Sequence, residues 1–315
     1  MTFMKYMFKE MRASAPDQRH YLLGESMETS LATRQHVELT HSAAFELLYS
    51  REGRSLIKAY YEPYLQLAAK HNMTYILEAP TWRANPDWLF KLGYNVDETT
   101  VVNRHAVQFL REIQHSKSCD VIISGAIGPR KSQCDSQNNM SPDEAASYHS
   151  VQVRALALSD VDIISGVSFT CSDEAIGVVW AARSVGVPVV ISFRLEDNGH
   201  LPNGESLEQA IERVDAATEN YTSHFIVHCA DLDVFCHLLE EGGNWTKRLH
   251  GLREPVACSA PGGILTHPCR DTTSQEFQRM VAIKKQLPNF QIIGGCTQKS
   301  GYELEELCRL FNAPD

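Results

Sequence analysis

Two cysteines stand where a chain places thiols that can do chemistry. Cys229 closes the run "HFIVHC" (224–229), and Cys296 directly follows "FQIIGG" (290–295). A third, Cys258, lies in the run "PVACS" (255–259). Each sits where a short apolar stretch gives way to polar sequence. A thiolate is a nucleophile and a soft metal ligand, so paired thiols at such positions suit a thiol or metal site. The other six of the nine cysteines are scattered and read as core or surface thiols. Polar side chains end other apolar runs in the same way: Glu25, Glu78, Thr81, Ser124, Arg130 and Arg194. Carboxylates and guanidinia there could hold the charged ends of a small substrate.

These residues need elements to hold them. Eight short β-rich runs recur along the chain, at 21–24, 75–81, 120–125, 161–166, 187–193, 224–229, 255–259 and 290–295. Amphipathic stretches lie between them, among them 55–71, 103–114, 143–159, 174–186, 206–218, 233–242 and 276–287. Short continuous apolar runs suit strands buried on both faces of a parallel sheet. Their alternation with helices implies right-handed βαβ units. Eight units in 315 residues predict a single α/β domain, a (β/α)8 TIM barrel over residues 1–315 with residues 1–20 as an N-terminal extension. An open doubly wound sheet is the alternative, and no G-x-G-x-x-G follows the first strand to favour it. In a barrel, the residues named above all lie at the C-terminal strand ends, where active sites form.

Bulk properties narrow the class. Hydrophobic residues make up 43% of the chain and the net charge is -10, with no Lys/Arg-rich run, so nucleic acid is not an expected partner. No apolar run approaches membrane-spanning length, and residues 1–20 lack a secretory apolar stretch. The expected location is cytoplasmic, with reduced thiols. Homo-oligomerisation is compatible with the sequence and not specified by it. Neither G-x-S-x-G nor H-E-x-x-H occurs, so no hydrolase motif is present. "NWTK" (244–247) fits a glycosylation pattern that has no meaning in a cytosolic chain.

Several segments, in order, resemble the homocysteine S-methyltransferase family over roughly residues 20–308. "GESMETSL" (24–31) resembles its opening D-G-G-x-G-T-x-L, keeping Thr29 and Leu31. "APTWRAN" (79–85), "SGAIGPR" (124–130) and "SFRLEDNGHLPNGESLEQAI" (192–211) resemble the segments after strands two, three and five. "VHC" (227–229) stands where the family has N-C, and "GGCT" (294–297) where it has G-G-C-C. The resemblance implies a (β/α)8 barrel that moves a methyl group onto a small thiol acceptor, homocysteine in the family. It also implies a Zn2+ cofactor held by three cysteine thiolates, with the substrate sulfur as the fourth ligand.

Carried over residue by residue, the resemblance keeps Cys229 and Cys296 as catalytic metal ligands. The third thiolate is replaced by Thr297, a neutral hydroxyl and a poor zinc ligand. Cys258 or His228 could supply the third contact, although strand alternation with Cys229 turns His228 behind the barrel wall. The acid opening the first motif aligns with Gly24, and the glutamate after strand four aligns near Val167. Both acids hold the substrate's ammonium group in the family. Glu25 is the candidate replacement clamp or an oxygen ligand, and Glu78, Thr81, Ser124 and Arg130 are candidate substrate contacts. Trp82, Arg83 and Trp88 could close over a ligand, whereas Tyr148 and His149 read as packing residues. These substitutions leave a second reading open: a metal-free barrel that binds a ligand, or regulates, without methyl transfer.

Overall fold

The computed structural model describes residues 19–115, 119–131, 140–228, 232–253, 259–260, 263–264, 274–287, 289–294 and 301–312. Its eight parallel barrel strands are β1 (Tyr21–Leu23), β2 (Thr74–Glu78), β3 (Val121–Ile127), β4 (Ile163–Phe169), β5 (Val189–Arg194), β6 (Phe225–His228), β7 (Leu249–Arg253) and β8 (Ile292–Gly294). They close in the order β1-β8-β7-β6-β5-β4-β3-β2, and β1 pairs in parallel with both β8 and β2. The predicted (β/α)8 barrel is therefore the fold.

Ten α-helices among the described residues follow the strands: α1 (Met27–Arg34), α2 (Arg51–Lys70), α3 (Pro86–Lys91), α4 (Glu98–His115), α5 (Pro142–Leu158), α6 (Ser172–Ser184), α7 (Leu207–Thr218), α8 (Leu232–Glu241), α9 (Ser274–Gln286) and α10 (Gly301–Asn312). Their starts follow local chemistry. Ser141 and Glu144 form a capping box at α5, with Pro142 at the first helical position, and Ser206 and Gln209 do the same at α7. At α1, Ser26 accepts a hydrogen bond from the Thr29 N–H at 3.3 Å.

Strand alternation divides the core in two. Tyr21, Leu23, Ile122, Ile163, Val190, Ile226 and Ile292 fill the lumen. Their neighbours, including Leu22, Tyr75, Ile123, Ile164, Ile191 and Val227, pack outward against the helices. The seventh strand is where expectation and structure part. It is "LHGLR" at 249–253; of the expected run at 255–259 only Ser259 is among the described residues, and Cys258 lies outside them. Ser259–Ala260 instead pairs antiparallel with Gly263–Ile264. The reason is steric: β7 gives the lumen no aliphatic side chain. A Cβ on Gly251 would meet the Ile292 Cβ at 2.8 Å, and the next residue of that face is Arg253. A strand built this way carries no apolar run to recognise.

Candidate active site at the barrel mouth

The C-terminal strand ends enclose a recess open to solvent. Its wall is made by Gly24, Glu28, Tyr60, Tyr61, Glu78, Trp82, Val167 and Arg253, among others. A second recess continues into the lumen between Ser165, Ser192, His224, Ile226 and His228. Ile76, Glu78, Val167 and Arg253 line both, so they form the partition between them.

Arg253, at the end of β7, organises the mouth. Its side chain is 4% exposed. Nη1 donates to Glu78 Oε2 at 2.7 Å, and Nη2 donates to the Glu25 carbonyl at 2.8 Å. The Tyr60 hydroxyl donates to that same carbonyl at 2.6 Å, and the Tyr61 hydroxyl donates to the Glu78 carbonyl at 2.5 Å. Aromatic hydroxyls from α2 thus fix the backbone beneath both carboxylates.

Three carboxylates stand near this guanidinium, and each is already answered. Glu25 pairs with Arg34 at 3.1 Å. Glu78 pairs with Arg253. Glu28, in the first turn of α1, accepts from the Ser26 hydroxyl at 3.1 Å, and burial raises its pKa above the ordinary carboxylate range. The mouth therefore carries no surplus negative charge among the described residues.

The two positions where the family resemblance implies ammonium-holding acids are closed by packing. A Cβ on Gly24 would lie 2.4 Å from the Tyr60 hydroxyl and 3.0 Å from that of Tyr75. Position 24 has no room for a larger side chain unless the tyrosines move. Val167 packs with Trp82 and Ala126, and the Trp82 Nε1–H donates to the Val167 carbonyl at 3.1 Å. An indole and a small apolar cluster fill that corner.

The remaining candidates fall in different places. Glu78 and Glu25 reach the mouth as described. Thr81 is fully buried and donates to the Ala126 carbonyl at 2.7 Å, holding the loop after β2 against β3. Ser124 lies within the barrel, 2.6 Å from the Ser165 hydroxyl. Arg130 turns away from the recess: its Nε donates to Asp87 at 2.7 Å and its guanidinium covers the Tyr148 ring at 4.5 Å. Arg83 is held between Trp82 and Trp88, 3.8 and 3.9 Å from the two rings, and stiffens the loop after β2. His228 is a correction. It lines the lumenal recess instead of pointing behind the wall, because His224, Ile226 and His228 share the inward face of β6 while Phe225 and Val227 pack outward.

Cys229, Cys258, Cys296 and Thr297 lie outside the described residues. Among the described residues no three His, Cys, Asp or Glu side chains lie close enough to share a metal ion. His228 does not make good the deficit. Its Nδ1 is 2.6 Å from the Ser168 hydroxyl, and burial, with the charges of Arg253 and Arg194, holds its pKa well below normal. A fixed guanidinium in the same recess also opposes a dication. The described residues thus do not fit a zinc centre. Nor do they offer a nucleophilic thiol at this site: burial pushes Cys171 and Cys308 up to about 12.

Sequence reasoning did not find Arg253 and Glu28. Glu28 had a local signal, since Ser26 is a good N-cap and Glu28 falls in the turn that follows. Arg253 had only the two leucines of "LHGLR" to mark its strand.

The structure is a (β/α)8 barrel with a recess at its C-terminal face, where barrel enzymes place their active sites. The sequence model described as homocysteine S-methyltransferase matches residues 23–311, and the chain belongs to that family. Among solved structures it is similar to the homocysteine methyltransferase MmuM from Escherichia coli. The oxidized form matches at 15% identity and TM-score 0.67, over 94% of this chain and 97% of that one. The metallated form matches at 15% identity and TM-score 0.67, over 93% and 96%. The apo form matches at 14% identity and TM-score 0.59, over 95% and 98%. At this identity the likeness is one of fold. No curated protein matches the chain.

Proposed function

We propose that this protein is an S-methyltransferase for a small thiol acceptor, working in the recess at the mouth of the barrel. The observation that carries the reading is the family match across residues 23–311. The recess lies at the strand ends, where barrel enzymes act. The acceptor must present a thiolate to take the methyl group from its donor by direct displacement. If the family's zinc is bound, Cys229 and Cys296, both outside the described residues, would hold it, and it would supply Lewis acidity to the acceptor thiol. The chain's own part is positioning: Arg253 and Glu78 fix the polar partition, while Trp82 and the α2 tyrosines wall the site from water. In this reading the protein is cytoplasmic, as expected for a chain whose apolar runs are short and whose cysteines are scattered. Among the described residues no helix is long and apolar enough to cross a membrane.

The test is methyl transfer from betaine, S-methylmethionine or S-adenosylmethionine to a panel of small thiols, homocysteine among them, together with metal analysis of the purified protein. Product formation that is lost in Cys229→Ser and Cys296→Ser supports the reading. Absence of product from every pair rejects it. That result would favour the second reading, a metal-free ligand-binding barrel, for which the packing at Gly24 and Val167 is the specific support.

A further inference from the structure

We propose that the mouth selects a thiol bearing a carboxylate and no ammonium group, with Arg253 as its anchor. This rests on the preceding reading only for the location of the ligand. It does not depend on methyl transfer.

The first argument is an unused donor. A guanidinium offers five N–H groups in one plane. Arg253 directs Nη1 to Glu78 and Nη2 to the Glu25 carbonyl, while its buried Nε–H has no hydrogen-bond partner among the described residues. A buried donor of a charged group left unpaired is costly, and a ligand carboxylate relieves that cost. Arg253 lines both recesses, which puts its side chain beside the ligand space.

Charge balance supplies the second. An ammonium group needs a carboxylate that is not already engaged. Glu78 shares its charge with Arg253, Glu25 pairs with Arg34, and burial drives Glu28 towards its neutral form. Among the described residues an incoming ammonium would meet the Arg253 guanidinium and no unengaged carboxylate.

Steric closure is the third. An acid restored at position 24 would collide with Tyr60, and position 167 lies in an apolar cluster under Trp82. The pocket is not an amine clamp with residues missing. It is packed in a different way.

The test is isothermal titration of the full-length protein, without methyl donor, using three probes: 3-mercaptopropionate, cysteamine and homocysteine. The first two share a two-carbon thiol chain and differ in the sign of the far group. The expected result is 3-mercaptopropionate tighter than either of the others by about tenfold, the worth of one charge-assisted hydrogen bond. Arg253→Met should remove that preference. Because this variant loses a buried ion pair and could fold poorly, Glu78→Gln gives the second arm. It frees Arg253 from its competitor, so 3-mercaptopropionate should bind several-fold more tightly. Tighter binding of cysteamine or homocysteine, equal binding of all three, no binding of any, or weaker 3-mercaptopropionate binding in Glu78→Gln would each overturn the proposal. Selective carboxylate binding with no methyl transfer would reject the preceding reading and leave this one standing.

Discussion

Arg253→Met should reveal how much of the barrel's stability depends on the mouth. Removing one partner of a buried ion pair costs about 3–5 kcal/mol, because the other charge remains in a poor environment. Two features of the structure soften the loss. The Glu78 side chain keeps 16% of its surface, so water can reach it. The Glu25 carbonyl keeps the Tyr60 hydroxyl at 2.6 Å after the guanidinium is gone. Methionine also replaces much of the lost volume, which limits any cavity contribution. The expected loss is therefore at the lower end, about 3 kcal/mol, small enough for a domain of ordinary stability to remain folded. Removing both charges together should be much milder, since apolar groups can replace a buried pair with little or no penalty. The double variant Arg253→Met/Glu78→Leu should recover about 2 kcal/mol of what the single one loses. Urea unfolding at constant m-value measures both. A single variant that loses less than about 1 kcal/mol, or a double variant no more stable than the single one, would refute the reasoning.

Two further outcomes follow from buried titrating groups. Burial raises the pKa of Glu28 in the folded protein, so its favourable contribution is present at low pH and fades as pH rises through the folded value. Glu28→Gln should match the parent near pH 4 and unfold at a higher urea midpoint at pH 8, and equal midpoints at both would reject the burial argument. The stacked His224 and His250 rings, 4.9 Å apart, behave in the opposite sense. Burial, then Arg248, lowers His250 to about 4, so the stability tied to its neutral form is lost as pH falls from about 6.5 towards that value. His250→Phe should flatten this acid loss in a urea-midpoint series, with His224 accounting for what remains.

How far the sequence could be read differed from strand to strand. Ile163, Ile164 and Val189–Ile191 announce β4 and β5 because both faces of those strands are covered by apolar neighbours. β7 escapes the same reading because its lumenal face is Gly251 and Arg253, while the nearby "PVACS" has the β-branched look that β7 lacks. The strand end expected at Cys258 lies outside the described residues. The site was legible only where a residue type declares itself. Glu78 at a strand end is such a case. Arg253 is not, because its role comes from pairing with Glu78, 175 positions away in sequence. His228 faced the wrong way on paper because the inward face of β6 was judged from Cys229, when Ile226 was the surer guide.

The Tyr60 hydroxyl against Gly24 also bears on how this barrel could change. If a carboxylate had been lost from an otherwise intact site, one codon could bring it back. Here the vacated volume is taken, and the tyrosine that takes it also holds the Glu25 carbonyl beside Arg253. Reintroducing an acid at 24 would need a smaller residue at 60, and that change would loosen the loop carrying Glu25. The route back passes through a less stable intermediate at every first step, so the present chemistry of the mouth is locked in by its own packing.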